Sequence, residues 1–150
     1  MQTMPVATTP MAMQESSKAE CEVTWDGSSK CSLSLWLNPV PASRPRVTRW
    51  GTYYSKTYKN WMAIADDSIP TATYQFEGLV KVHVDFYVVK PKTSKLSRPR
   101  GDIDNYLKAI LDAVTKKGYW LDDDEIVHLT ATKQFSSSKD GLIEMTISDL

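Results

Sequence analysis

The chain has 150 residues, 41% of them hydrophobic and 24% charged, and its 18 basic residues equal its 18 acidic residues in number. These values are ordinary for a globular protein and predict one domain that folds without disulfide or metal cross-links. The first residues lack a basic segment followed by an apolar run, so we expect no signal peptide or membrane span and a cytoplasmic location. Cys21 and Cys31 have no Cys or His companions at zinc-ligand spacing and are interpreted as incidental reduced thiols.

The N-terminal part differs in composition from the rest of the chain. Residues 1–30 are rich in Thr, Met, Ser, Ala and Glu and show no apolar periodicity, which predicts a disordered tail before a folded domain over residues 31–150. The alternating leucines of "SLSLWL" predict the first strand of that domain. The prolines of "NPVPASRPR" then predict an extended loop that presents Arg44 and Arg46.

A helix and a strand are predicted next. In "SKTYKNWMAIADDSI" the apolar residues recur at helical spacing, and Ser55 is a suitable N-cap. The apolar positions are Tyr58, Trp61, Met62, Ala65 and Ile69. "LVKVHVDFYVV" alternates strictly between apolar and polar residues, which predicts the clearest strand of the chain. Its apolar face consists of Val80, Val82, Val84 and Phe86.

The C-terminal half predicts a second helix and two further strands. "KPKTSKLSRPR" is a basic loop, and the helix after it ends near Gly118. The buried stripe of this helix is Ile103, Leu107, Ile110, Leu111 and Val114. "EIVHLTATKQF" and "GLIEMTISDL" predict two strands joined as a hairpin at "SSSKDG". The predicted fold is α+β: a single domain with a mixed sheet of about four strands and two helices packed on it, in the order β-α-β-α-β-β.

The zero net charge conceals a separation of charges along the sequence. Residues 27–65 contain six bases and no acid, and residues 90–100 contain five bases and no acid. Seven of the 18 acids lie between Asp102 and Glu125. A charge run is usually only a solvated face, but this asymmetry favours a surface for a polyanion beside a site for a cation.

Two explanations of the acids compete. Asp104, Lys108 and Asp112 follow one another at four-residue spacing, so they can form ion pairs along a solvated helix that has Asp102 or Asp104 as its N-cap. This explanation does not account for the bases directly before Asp102 or for the acids at the start of the next strand. The second explanation is a site for a divalent metal ion.

The type of metal site is limited by the spacing of the acids. An EF-hand is excluded, because the loop positions that need an oxygen ligand and a glycine hold Tyr106 and Leu107, or Ile126 and Val127. Magnesium needs only two or three carboxylates, water and the phosphate of the substrate.

The second acidic group, Asp122–Asp124, lies beyond the predicted helix. A helix of about 14 residues spans about 21 Å, and "GYWL" covers only part of the way back to Asp102 and Asp104. The second group therefore completes the site either within the chain or from a neighbouring subunit. We expect completion within the chain, because consecutive elements usually pack as neighbours.

The stretch "DIDNYLKAILDAVTKKGYWLDDDEI" resembles the RusA family of Holliday junction resolvases, which includes many phage members. The family pattern combines Asp-x-Asp-Asn at the start of a helix, Lys four residues after the second Asp, and Asp-Asp before a strand. These positions are here Asp102, Asp104, Asn105, Lys108, Asp122 and Asp123. "PASRPRVT" and "YKNWM" also resemble the opening of the family, so the resemblance covers about residues 33–148.

This resemblance implies a RusA-like fold, a Mg²⁺ cofactor for which Mn²⁺ can substitute, and a homodimer that cuts opposed strands of a four-way DNA junction. It implies that Asp102, Asp104 and one acid of the second group bind the metal. Asp123 is favoured as that third ligand and Asp122 comes second, while the additional acid Asp124 leaves the assignment open. The implied location is the cytoplasm of a bacterial cell or of a phage-infected host.

Further roles concern the basic residues. By the same resemblance, Lys108 stabilises phosphate charge or orients the attacking water. Phosphate contacts, which position DNA without reading its sequence, are expected from seven bases. They are Arg44, Arg46, Arg49, Lys92, Lys95, Arg98 and Arg100. No organic cofactor and no membrane partner are expected.

Other functions and roles were weighed against these. The main alternative is a non-catalytic DNA-binding or architectural module with a vestigial acidic site, and a small-molecule metal hydrolase is disfavoured by the basic flanks and the lack of His ligands. His83 is interpreted as an exposed strand residue, with a phosphate contact as the alternative. His128 is interpreted as a structural residue and Trp61 as a core residue. Three aromatic residues are expected in core or dimer packing, with stacking on unpaired bases as the alternative: Trp50, Tyr53 and Tyr54.

Overall fold

The computed structural model describes residues 18–150, apart from the side chains of Arg46, Thr52 and Tyr53. The strands in this part are β1 (Glu20–Asp26), β2 (Lys30–Trp36), β3 (Arg46–Thr48), β4 (Gly51–Tyr53), β5 (Val80–Val88), β6 (Ile126–Phe135) and β7 (Leu142–Asp149). The helices are α1 (Lys56–Ser68) and α2 (Ile103–Lys116), and a single 3-10 turn covers Asp123–Glu125. None of the helices within residues 18–150 has the length and apolar character that a membrane crossing requires.

Five strands form one mixed sheet in the order β1-β2-β7-β5-β6. Strand β5 pairs in parallel with β6 and antiparallel with β7, while the β1-β2 and β2-β7 pairs are antiparallel. A parallel pair requires a crossover connection, which α2 provides between β5 and β6. The predicted single α+β domain with a mixed sheet and two helices is confirmed, with one strand more in the sheet than expected.

One face of this sheet carries the core, because successive side chains of a strand point to opposite faces. Every second side chain of β5, from Val80 to Val88, is buried, whereas Lys81 between them is exposed. Alternate residues of β2 and β7 and the apolar stripes of both helices belong to the same buried cluster. Its members include Leu33, Leu35, Trp61, Ala65, Ile110, Val114, Ile143, Met145 and Ile147. The helices therefore cover the apolar face, as predicted.

Helix α1 begins where the sequence predicts it. The Oγ of Ser55 accepts a hydrogen bond from the backbone N–H of Tyr58 at 3.3 Å, which is the N-cap arrangement. Trp61 is 3% exposed, so its assignment to the core is confirmed.

The predicted N-terminal tail is wrong for its second half, because residues 20–26 form β1 at the edge of the sheet. The half-buried Cys21, Val23 and Trp25 alternate with exposed residues, and the ring of Trp25 stacks at 5.8 Å on both Phe76 and Tyr119. The alternation is a weak signal in the sequence, because only three less polar residues mark it. Residues 1–17 of the predicted tail lie outside the described residues.

The two cysteines occupy neighbouring strands without forming a disulfide. Burial raises the pKa of the Cys21 and Cys31 thiols to about 11 in each case. Both thiols are therefore protonated at neutral pH, which agrees with their interpretation as reduced residues.

The predicted hairpin of β6 and β7 is wrong, because β5 lies between these strands. The segment "SSSKDG" passes across the end of β5, where the N–H of Ser136 donates to the carbonyl of Val88 at 2.8 Å. The physical reason is that one face of β5 is buried along its whole length and the strand has two edges to pair. The crossover through α2 places β6 on one edge, and β7 takes the other.

A second difference concerns the segment before α1, which was predicted as a loop. Residues 38–45 are indeed without regular structure, but β3 and β4 form an exposed two-stranded ribbon. The Oγ1 of Thr48 closes its turn by accepting from Trp50 N–H and donating to the Gly51 carbonyl, both at 3.1 Å. Trp50 at the tip is 86% exposed, so core packing of this residue is wrong.

If β1 belongs to the fold, replacing Trp25 with alanine should lower the free energy of unfolding by about 2–4 kcal/mol, since the ring stacks on two core aromatics. Urea unfolding followed by circular dichroism measures this change. Trp50→Ala is the matched control and should change stability by less than about 0.5 kcal/mol. Equally small effects of both substitutions would contradict the structural role of β1.

Candidate active site and nucleic-acid interface

The first acidic group lies where the basic loop, residues 90–100, leads into α2. Asp102 occupies the N-cap position, but its side chain makes no capping hydrogen bond, and Asp104 lies in the first turn. Both side chains are exposed. Helix capping therefore does not explain the carboxylate of Asp102, which is left to interact with groups outside the helix.

The backbone turns sharply just before these acids. Gly101 has a φ of 95°, and a Cβ at this position would lie 3.1 Å from Pro41 Cγ and 3.2 Å from Tyr106 Cε2. A side chain is disfavoured here by both the backbone conformation and the lack of space. The glycine thus allows the loop to enter α2 directly against Pro41 and Tyr106.

Three consecutive backbone carbonyls before Asp102 are held by side chains, and we call this arrangement the carbonyl clamp. The Nζ of Lys133 donates to the carbonyls of Pro99, at 3.0 Å, and of Gly101. The hydroxyl of Tyr106 donates to the carbonyl of Arg100 at 2.6 Å. Charged donors make strong hydrogen bonds, so the clamp fixes the backbone from which the first acidic group extends.

Lys133 was not among the predicted site residues, although the sequence of β6 contains a sign of it. The residue pairs with the buried Phe86 in the sheet and shares a face with Ala131 and Phe135. A lysine at a core-facing position of an alternating strand needs a polar partner inside the protein. That position predicts a structural contact, but the sequence does not show with which segment.

The second acidic group surrounds the 3-10 turn before β6. Asp122 accepts a hydrogen bond from Asp124 N–H at 3.1 Å, and Glu125 accepts one from Leu121 N–H at 3.1 Å. These two side chains shape the turn. Asp123 instead lines a groove with Tyr58, Met62 and Asp112, between the two helices and the turn.

The ionisation of Asp123 is perturbed by its surroundings. Burial raises the pKa of its carboxyl above the ordinary value, and a hydrogen bond with Asp122 and the charges of Asp122 and Asp112 raise it further. The ammonium of Lys108 acts in the opposite direction and lies 3.2 Å from Asp112. Close carboxylates with one shared lysine are typical of a site that gains from an added cation.

The two acidic groups meet α2 at different points. Asp104 lies in its first turn, and Asp112, which lines the groove with Asp123, lies eight residues later, which corresponds to about 12 Å along the helix axis. Among residues 18–150, no three carboxylate, His or Cys side chains are close enough to hold one metal ion. The ligand set of Asp102, Asp104 and Asp123 and its completion within one chain stay predictions.

The predicted phosphate-binding residues are at the surface. Exposed side chains belong to Arg44, Arg49, Lys92, Lys95, Arg98 and Arg100, while the side chain of Arg46 lies outside the described part. Within that part, none of the six forms an ion pair with an acid. Arg49 lies 5.2 Å from the ring centre of Trp50, so the tip of the β3–β4 ribbon presents a cation and an aromatic ring together.

The remaining predicted residues have local roles. His83 lies 3.0 Å from Asp85 Oδ1 on the sheet face opposite to the core, and its other ring nitrogen contacts Thr130, in agreement with a structural role. His128 is exposed on the edge strand β6. Tyr54 packs edge-on against Tyr58 at 5.4 Å, and the side chain of Tyr53 lies outside the described part.

The perturbed acid can be tested by its titration. Asp122→Asn should lower the pKa of Asp123, because a hydrogen bond and a repelling charge are lost, and Lys108→Met should raise it. The pKa of Asp123 is higher in the folded protein than in the unfolded chain, so protonated Asp123 stabilises the fold. This stabilisation is lost as the pH rises through the folded-state pKa. Carbon-13 NMR of the carboxyl groups measures the titration, with Asp140→Asn as control. An unchanged pKa in both variants would contradict the described contacts.

The carbonyl clamp predicts a local effect of Lys133. In Lys133→Met the backbone before Asp102 should open more often, and trypsin should cleave after Arg100 about tenfold faster, because two charge-assisted hydrogen bonds are lost. Lys139→Met, in the turn before β7, removes an exposed lysine that does not contact these carbonyls and should leave the rate unchanged. Peptide mapping by mass spectrometry reports the cleavage site, and equal rates in both variants would show that the clamp does not hold the loop.

Comparison with known proteins gives consistent matches. Residues 37–148 match the family described as endodeoxyribonuclease RusA. Crossover junction endodeoxyribonucleases RusA of Escherichia coli strain K12 and of Enterobacteria phage 82 are each 43% identical over 53 residues, and that of E. coli O139:H28 is 45% identical over the same length. Each alignment covers 35% of this chain and 43% of the relative, less than half of the relatives' length. The family match spans most of the described fold, including both acidic groups and the basic loop, and the chain belongs to the RusA endodeoxyribonuclease family.

Proposed function

We propose that this protein is a divalent-metal-dependent endonuclease that cuts phosphodiester bonds in branched DNA, in recombination, repair or phage DNA processing. The observation that carries the proposal is the direct passage from the basic loop into the exposed acids at the start of α2. Exposed bases without acidic partners attract the DNA backbone, and acids close to the bound phosphates repel them unless a cation lies between. Family membership supports the nuclease reaction. Mg²⁺, for which Mn²⁺ can substitute, is the proposed cation, since carboxylates, water and a substrate phosphate suffice to bind it.

A homodimer belongs to this proposal, and one observation that supports it is that no three carboxylate, His or Cys side chains within residues 18–150 are close enough to hold a metal ion. Leu121, Val127 and Leu129 are 76%, 53% and 41% exposed beside the second acidic group and along the free edge of β6. Exposed apolar residues next to a functional group favour burial against a second chain. We infer that the partner's first acidic group completes the site beside Asp123, rather than the first group of the same chain.

The side chains of the chain itself have distinct tasks in this scheme. The basic residues of the loop and of the β3–β4 ribbon hold the phosphates and orient the scissile strand. Lys108, on the same helix as both Asp104 and Asp112, stabilises negative charge on the reacting phosphate. The carbonyl clamp keeps Asp102 and Asp104 in place while the DNA binds. A bound divalent cation would supply Lewis-acid chemistry at the reacting phosphate.

The alternative is a DNA-binding module whose acids have lost their catalytic role. Both functions use the same basic surface, so only cleavage separates them. A synthetic four-way junction, incubated with and without Mg²⁺, gives the decisive comparison with a linear duplex of the same sequence. Cleavage of the junction only with Mg²⁺ supports the endonuclease.

In this assay, Asp104→Asn and Asp123→Asn should abolish cleavage, because each removes a proposed metal ligand. Junction binding should stay unchanged or become tighter, because a carboxylate that repels phosphate is removed. Lys108→Met should slow cleavage by about 100-fold to 1,000-fold. Asp140→Asn, in a turn remote from the site, is the control. Full cleavage by the Asp104 and Asp123 variants would refute the catalytic role of the acids.

The same variants also test the shared site. A mixed dimer of Asp104→Asn and Asp123→Asn protomers should contain one intact site and nick one strand, if each site takes acids from both chains. If one chain completes its own site, every mixed dimer is inactive. That second outcome, or a protein that stays monomeric with junction bound, would exclude the shared arrangement.

A salt titration tests the DNA surface. The logarithm of the binding constant should fall with the logarithm of salt by about 0.9 for each phosphate contact, so the Arg98→Gln/Arg100→Gln double variant should flatten the slope by about 1.8. The Lys81→Gln/Lys139→Gln variant makes the same change of net charge elsewhere and should keep the slope. Fluorescence anisotropy of a labelled junction gives both values, and equal slopes would argue against the loop as the DNA surface.

A further inference from the structure

A cavity of about 530 Å³ lies under the basic loop at the carboxyl ends of β5 and β6. Its apolar walls include Val88, Leu96, Tyr106 and Phe135. Two exposed bases of the loop, Lys95 and Arg100, also line it. This volume lies in the range of pockets that receive small organic groups. The cavity has no part in the proposed metal binding by the acids.

The walls of the cavity are fixed without a ligand. Tyr106 is 3% exposed, packs on Phe86 at 5.5 Å and donates its hydroxyl to the Arg100 carbonyl. Lys133 holds the carbonyl of Pro99, which also lines the cavity. The ammonium of Lys90 lies 5.4 Å from the ring centre of Phe135. The carbonyl clamp thus forms one side of the cavity as well as the backbone before Asp102.

The charge of the cavity selects the type of ligand. No acid is among its lining residues, and within residues 18–150 neither Lys95 nor Arg100 forms an ion pair. An apolar interior with two unpaired cations at one side suits a ligand that joins a flat apolar group to an anion. A nucleotide has this chemistry, since its base stacks on apolar and aromatic surfaces and its phosphate pairs with Lys and Arg.

We propose that this cavity receives one unstacked nucleotide of the DNA substrate, with the base inside and the adjoining phosphates on Lys95 and Arg100. The inference rests on the proposed function for the DNA, and it adds a binding site for a single base. Arg100 is two residues before Asp102, so their Cα atoms are at most about 7 Å apart. A nucleotide in the cavity therefore anchors the strand next to the first acidic group and favours DNA whose bases are already unpaired, as at a branch point.

The test uses the full chain and four-way junctions that carry 2-aminopurine at single positions around the branch point. This base analogue brightens when it leaves the stack, and contact with a protein changes its emission again. The emission at each position is compared between the free junction and the junction with saturating protein, without Mg²⁺. At one position the emission should differ strongly between the two. If the junction binds and no position responds, the cavity does not receive a base.

Two lysines of the loop give a matched pair of variants. Lys95 lines the cavity and Lys92 does not, although both are exposed. Lys95→Gln should weaken junction binding by about fivefold and remove most of the 2-aminopurine response at saturation. Lys92→Gln makes the same charge change and should keep the response. Equal loss of the response in both variants would mean that only the charge of the loop matters, which overturns the proposal.

A change in the wall provides a second, uncharged test. Phe135→Leu keeps an apolar side chain but removes the ring, and it should lower the response while urea unfolding shows a folded protein. Cleavage is measured separately with Mg²⁺. A response without cleavage refutes the proposed endonuclease and leaves the nucleotide site standing, whereas cleavage without any response refutes the nucleotide site alone.

Discussion

The pairing of β5 on both of its edges is the constraint on which the rest of the structure depends. Every second side chain of β5 is buried, and the strand pairs with β6 in parallel and with β7 in antiparallel direction. A parallel neighbour that follows in sequence requires a crossover, so α2 must run back over the apolar face. The loop before α2 then lies at the carboxyl end of β5, and the 3-10 turn after α2 lies at the amino end of β6.

The crossover also sets where each acidic group meets α2. Asp104 lies in the first turn of the helix, whereas Asp123 lies near Lys108 and Asp112, one and two turns further along. Within residues 18–150, no three carboxylate, His or Cys side chains are close enough to hold one metal ion. A second chain with its helix in the opposite direction would place the beginning of one helix beside the end of the other, which is the arrangement that the proposed dimer requires.

The carboxyl end of the sheet combines several functions in a small region. The segment between Val88 and Tyr106 contains the basic loop and the first acidic group. Lys133 and Phe135 of β6 contact this segment and complete the carbonyl clamp and the cavity. Ligands of open sheets with crossovers are usually bound at this end, where loops leave the strands. One lysine of β6 thereby connects the edge strand with the loop that is proposed to bind the DNA.

The sequence by itself was sufficient for the elements with strong periodicity and for the family. The alternation of β5, the N-cap at Ser55 and the apolar stripe of α2 depend on local geometry. The residues of one short segment determine each of these features. The acids and the lysine around Asp104 carry the resemblance to the RusA family, and the family match over residues 37–148 confirms it. The missed strand β1 also alternates, but only three half-buried residues mark it, and its packing partners Phe76 and Tyr119 are about 50 residues or more away in sequence.

Only the tertiary structure decided which segments meet. The hairpin predicted for β6 and β7 was wrong because strand order depends on which edges of β5 are available, a property of the whole sheet. The contact of Lys133 with the carbonyls before Asp102, the groove that Asp123 lines with Tyr58 and the cavity under the basic loop join residues that are distant along the chain. Local patterns specify the direction of a side chain relative to its own strand or helix, but its partner is chosen by the packing of all elements together.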